Sequence, residues 1–191
     1  MFSYVIGKMI SQGVINEEDC EIYLYGIKSL FFYLIYFVTS LVIAMCIKKV
    51  HICLLTIIIG MEFRRNFGGV HFSKSYVCFF FSILYVVIPM WICDYIDFIP
   101  LYMLYIFTIV LDIVLFVRTI RFGIIRHKNK IYTTNLIKKS KKRVVIMEIV
   151  IAAISSIGLL TQNKTIIFVI TYVLFIQTIS CCLSVGKNFI R

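Results

Sequence analysis

Between Arg64 and Cys78 the chain reads RRNFGGVHFSKSYVC, which gathers two arginines, a glycine pair, a histidine and a cysteine at the edge of an apolar run. A thiolate is a strong nucleophile and an imidazole is the side chain best suited to take and return its proton near neutral pH. Cys78 and His71 are therefore candidates for a nucleophile and its base. On one unbroken helix a spacing of seven would separate them by about 10.5 Å along the axis, beyond hydrogen-bond reach. A working pair needs a break, and Gly68 with Gly69 permits a tight turn while Ser73 or Ser75 can cap the next helix. With Ser75 as the cap, Cys78 is the third helical residue. There the positive end of the helix, together with Arg64, Arg65 and Lys74, favours negative charge on sulfur.

The plain alternative is that Cys78 is one more small apolar side chain. Seven cysteines are present, at 20, 46, 53, 78, 93, 181 and 182, and the others read as packing residues. Cys181 and Cys182, adjacent in the last apolar run, read as neither a disulfide nor a metal pair. Zinc wants four ligands at recognisable spacing, and His51, His71 and His127 with scattered cysteines do not offer them. No metal and no other cofactor is expected. His51 and His127 read as interfacial or solvated.

The elements that must hold these residues follow from composition. The 191 residues are 61% hydrophobic and 16% aromatic, where soluble domains average about 45–50% apolar. Apolar runs fall at 29–47, 50–61, 76–93, 99–117, 144–160 and 165–185. A spanning helix takes about 20 residues, so five of these qualify outright. The run at 50–61 is short, and is either a helix extended by its polar neighbours or a re-entrant segment. The expected fold is all-α: a polytopic integral membrane bundle of about six hydrophobic helices, one domain over residues 1–191, with a short N-terminal amphipathic segment, MFSYVIGKMI. Asn16 to Asp19 read as a helix cap with acids in the first turn. No cleavable signal peptide is expected.

Residues 118–143 carry ten of the twenty Lys and Arg and no acid, which predicts a cytoplasmic loop. Tracing outward puts Asp94 and Asp97 outside, and the 62–78 segment and the C-terminus inside. The net charge of +11 is explained by topogenic anchors that meet anionic lipid headgroups, or by attraction of an acidic peptide. Two carboxylates fall within spans, Asp112 and Glu148, close in depth to Cys78. Buried charges in a bilayer are costly and are usually functional or paired. Either is a candidate to orient His71, as is Glu62, or each simply bonds Arg118 or Arg143. Gln177, Ser155 and Ser156 read as helix-to-helix glue.

An arginine pair, then GGVH, then a cysteine seven residues after the histidine, in a polytopic chain of this size, resembles the AgrB family. These are the accessory gene regulator membrane endopeptidases of Gram-positive quorum sensing. The resemblance covers the whole chain in size and hydropathy, and its specific part is residues 62–78. It implies that His71 and Cys78 are catalytic, with Gly68, Gly69, Arg64 and Arg65 at the family's supporting positions. It further implies an AgrD-type precursor peptide as substrate. Cys78 would cut off its acidic tail, hold the rest as a thioester, and release it as a thiolactone or lactone ring. The tail would be drawn to Lys138, Lys139, Lys141, Lys142 and Arg143. The resemblance also suggests a homodimer in the bacterial plasma membrane.

Two other classes compete. A small transport or scaffold protein would use Asp112 and Glu148 as a permeation or relay pair and leave Cys78 incidental; the absence of a sequence repeat argues against it. A membrane anchor binding nucleic acid through the basic loop would need aromatic platforms among the cations, and only Phe122 and Tyr132 are there, so no nucleic acid partner is expected.

Overall fold

The computed structural model describes residues 2–13, 20–67, 75–122 and 134–188. Among them every regular element is a helix: α1 Phe2–Ser11, α2 Cys20–Ile47, α3 Val50–Phe67, α4 Ser75–Ile92, a 3₁₀ segment Cys93–Phe98, α5 Leu101–Phe122, α6 Thr134–Leu160 and α7 Lys164–Asn188. Asn16 to Asp19, where a cap was expected, and the stretches 68–74 and 123–133 lie outside the described residues. Five helices are long and apolar enough to cross a membrane, over Gly26–Ile47, Tyr76–Phe98, Leu101–Arg121, Lys138–Leu160 and Lys164–Cys182.

α3 is not among those five, and its end contacts show how the short 50–61 run is used. The helix continues through the polar residues Glu62 to Phe67, so its eighteen residues rise about 27 Å, close to the thickness of a bilayer's hydrocarbon core. At its first end Lys49 pairs with Asp94 and donates to the Met90 carbonyl. At its far end Arg64 touches Cys78 and Ser82. Because α4 runs between those same contacts, α3 traverses the same depth as α4, antiparallel to it. It is an extended helix, not a re-entrant one.

The corners are built by backbone geometry. α2 ends with Lys48 in the left-handed region (φ 60°), and Lys49 N–H reaches back to the Ala44 carbonyl at 2.9 Å. α6 ends the same way: Gln162 has φ 54°, and Asn163 N–H bonds the Gly158 carbonyl at 2.9 Å. Both close the orphan carbonyls of a helix end. Asn163 then caps α7, its Oδ1 accepting from Ile166 N–H at 3.2 Å.

α3 sits in the middle, packed on α2 and α4 on one side and on α6 and α7 on the other, with α5 against α6 and α7. Two cores result. Ala44, Ile52, Ile57, Val86, Met90 and Ile167 fill the end near Asp94, and Phe63, Leu115, Val144, Ile151, Val173 and Leu174 fill the end near Arg64. Tyr85 packs against both. Outside, α2 exposes Leu30, Phe31, Leu34, Phe37 and Val42, and α5 exposes Met103, Ile106 and Val110. Such a coat suits lipid and would be a liability in water. The expected N-terminal segment is present as α1, packed on α2.

The basic stretch 118–143 differs from expectation. Its two flanks are helical, residues 118–122 closing α5 and residues 134–143 opening α6. Lys and Arg are good helix formers, and Lys141 Nζ donates to the Ile120 carbonyl at 3.0 Å, so α6 supplies a cap for α5. Lys138 to Arg143 therefore present their charge from a helix, and not from a loop.

Candidate functional site

α3 turns about 100° per residue, so its last polar residues point in different directions. Arg64 faces α4. Phe63 is buried in the neighbouring core. Glu62 and Arg65, three apart, face α6 and approach each other at 3.8 Å. Both are exposed, which leaves that ion pair little energetic weight.

α4 supplies the other half. Its first helical residue is Ser75, so Cys78 is the fourth residue of the helix and not the third. The position is still in the first turn, where unsatisfied N–H groups give the helix its positive end. One turn on, Ser82 lies on the same face. The Arg64 guanidinium spans the two: Nη2 donates to Cys78 Sγ at 3.3 Å and Nη1 to Ser82 Oγ at 3.3 Å. Ser82 in turn donates its hydroxyl proton to the Cys78 carbonyl at 2.8 Å. All three residues are half-buried. The face continues to Tyr85, whose hydroxyl lies against Gly60, one turn before Arg64 on α3. A reactive sulfur here would be backed by a fixed cation.

His71, Gly68, Gly69 and Ser73 belong to the stretch that joins α3 to α4, outside the described residues. Of the two arginines, Arg64 is brought to Cys78. Arg65 turns away and, with Glu62, Arg143, Ile146 and Met147, lines an open cleft of about 300 Å³ between α3 and α6. Lys138, Lys139, Lys142 and Arg143 are exposed on α6, with Lys141 half-buried.

The two intramembrane carboxylates are gathered at the α5–α6 interface. Glu148 is buried, with Oε1 3.1 Å from Thr119 Oγ1, and Asp112 is near enough for their charges to interact. Glu148 Oε2 and Asp112 Oδ1 have no hydrogen-bond partner among the described residues. The bond of Glu148 is thus to Thr119, a residue that sequence reasoning did not single out. Ser156 links helices as expected, within 3.2 Å of the Tyr105 hydroxyl, whereas Ser155 bonds its own helix at Ile151. Gln177 reaches Cys181 along α7, and Cys182 is exposed. His51, at the start of α3, is exposed at the opposite end of the bundle from Cys78.

Ser82 was legible only in retrospect. Its signal is the spacing of four from Cys78, which any serine one turn along a helix shares, and nothing in the sequence ties it to Arg64.

The family model described as accessory gene regulator B matches residues 2–181, from α1 through most of α7. The chain belongs to the AgrB family. No curated protein and no solved structure matches the chain. Membership makes it a membrane protein of the accessory gene regulator quorum-sensing system, and its five spanning helices make it a multi-pass one. The AgrB match takes in α3, α4 and the helical parts of the basic stretch, so the Arg64, Cys78 and Ser82 cluster lies inside it.

Proposed function

We propose that this chain is a membrane-embedded cysteine endopeptidase that removes the C-terminal tail of an AgrD-type precursor peptide and cyclises the remainder. The observation that supports this best is the Arg64 guanidinium 3.3 Å from the sulfur of Cys78 in the first turn of α4. A cation and a helix N-terminus on one sulfur are the surroundings in which a cysteine becomes nucleophilic.

In this reading Cys78 Sγ, its proton passed to His71, attacks the peptide carbonyl at the cut site. The carbonyl oxygen takes the developing negative charge, and the Arg64 donors beside the sulfur are placed to stabilise it. The C–N bond then breaks, and His71 returns the proton to the departing amine of the tail. The upstream part remains as a thioester on Cys78. A thiol or hydroxyl within that part attacks the thioester, its proton going back to Cys78, and a ring leaves. Thioester exchange with a thiol is close to isoenergetic, so the ring accumulates only if water is kept from the acyl-enzyme. Half-burial of Cys78 at the membrane edge serves that purpose.

The basic end of the bundle faces the cytoplasm by the distribution of Lys and Arg, and the exposed cations of α6 meet anionic headgroups and the acidic tail of the precursor. The cleft of Glu62, Arg65 and Arg143 lies where that tail would pass.

The test is mass spectrometry of a candidate precursor co-expressed with wild type, Cys78→Ala and His71→Ala. Tail release by the wild type alone, with an N-terminal product lighter by one water, is expected. Processing that survives Cys78→Ala would remove the nucleophile and leave the cluster a helix-to-helix contact. Activity kept in Cys78→Ala but lost in Asp112→Asn would turn the reading toward transport.

A further inference from the structure

Ser82 occupies a defined place in the hydrogen-bond pattern around Cys78. A hydroxyl has one proton, and that of Ser82 is given to the Cys78 carbonyl at 2.8 Å. Its oxygen therefore meets Arg64 as a lone pair, accepting from Nη1 at 3.3 Å. The other terminal nitrogen, Nη2, reaches Cys78 Sγ at 3.3 Å. The two nitrogens belong to one rigid plane, so anchoring one orients the other. The contacts close a ring: Cys78 carbonyl, Ser82 hydroxyl, Arg64 guanidinium, Cys78 sulfur.

We propose that Ser82 is a positioning residue, which clamps the Arg64 guanidinium so that one of its donors stays against the sulfur of Cys78. The inference rests on the reading of Cys78 as the nucleophile. An arginine side chain has several free rotors, and without a second anchor it trades a weak contact to sulfur for water or lipid phosphate. Ser82 holds it from the same helix that carries the sulfur, so motion of α3 against α4 does not change the sense of the contact.

The experiment uses the full chain in nanodiscs of phosphatidylethanolamine and phosphatidylglycerol. Iodoacetamide alkylation is followed at Cys78 by site-resolved mass spectrometry, with the exposed Cys46 and Cys182 as internal references. Ser82→Ala is expected to slow alkylation of Cys78 about tenfold, the worth of one charge-assisted hydrogen bond, while the references keep their rates. Ser82→Thr, which keeps the hydroxyl and can make the same bond to the carbonyl one turn back, is expected to restore it. In an Arg64→Gln background Ser82→Ala is expected to have no further effect, because the two act as one unit.

An unchanged Cys78 rate in Ser82→Ala, an equally slow Ser82→Thr, or an additive loss in the double variant would each overturn the proposal. Tail release is measured on the same variants, and kcat is expected to fall with KM unchanged. If alkylation follows the proposed pattern but a precursor is cut without Cys78, the peptidase reading fails and the clamp stands.

Discussion

Arg64 and Cys78 come from different helices and meet at 3.3 Å, guanidinium to sulfur, with the rest of α3 held against α4 down to Lys49 and Asp94. A contact of this kind separates the two adjacent arginines, which the sequence alone leaves equivalent.

Arg64→Lys keeps the charge but replaces the planar fork with one small rotating head, so it does not hold sulfur and Ser82 in the same fixed geometry. We expect kcat for tail release to fall about tenfold in Arg64→Lys and about a hundredfold in Arg64→Ala, which would remove the proposed donor to the developing oxyanion. Steady-state kinetics with a synthetic precursor checks both. A fully active Arg64→Lys would mean that charge alone is enough.

Reversing Lys138, Lys139, Lys142 and Arg143 to Glu acts elsewhere. These side chains are exposed on α6, and Arg143 lines the cleft shared with Glu62 and Arg65. KM for the precursor is expected to rise about tenfold at low ionic strength, and the difference to shrink as salt screens it. Lys141 is left out because it also holds the Ile120 carbonyl. A fall in kcat at constant KM would place these cations in the chemistry instead.

Gly60 is a point of close approach. A Cβ built there meets Tyr85 Oη at 2.5 Å and Cε1 at 2.8 Å. Tyr85 has little room to yield, since its ring packs on Tyr172 at 5.6 Å between centroids and touches both cores. Gly60→Ala is expected to destabilise the protein by about 1–3 kcal/mol and to lower activity, because it pushes α4 from α3 one turn below Arg64. Tyr85→Phe in the same chain removes the hydroxyl and restores part of the loss. Thermal unfolding in detergent, read beside tail release, decides it.

Gln162 holds a left-handed backbone at φ 54° that costs a non-glycine residue about 1 kcal/mol. Gln162→Gly is expected to raise stability by about 0.5–1 kcal/mol without touching activity, since the corner lies at the end of the bundle away from Cys78. A loss of stability would show that the glutamine side chain has a task of its own.

The fold was legible because each spanning run is long, apolar and bounded by charge. The 50–61 run was ambiguous for a physical reason. Its helix is completed by Glu62, Arg64 and Arg65, residues that read as an edge until contacts with α4 and α6 give them partners. The helical flanks of the basic stretch were missed likewise, since ten cations in a row of turns and a cationic helix have the same composition. At the site, the types of residue were plain and their pairing was not. Nothing in the sequence says that Arg64 faces α4 while Arg65 faces α6; the helical rotation of α3 against two neighbours decides it.

The modest hydropathy of α3 also bears on how the protein is made. The helix that carries Arg64 has the length but not the apolarity of the other five, and Glu62, Arg64 and Arg65 add to the cost of placing it in lipid. α2 joins it through the corner at Lys48 and Lys49, so the two are expected to enter as a hairpin whose second arm depends on the first. That arm is secured only when α4 arrives with Asp94 for Lys49 and with Cys78 and Ser82 for Arg64. The Arg64–Cys78 contact thus needs both α3 and α4 in place, so it reports on the assembly of the first half of the chain.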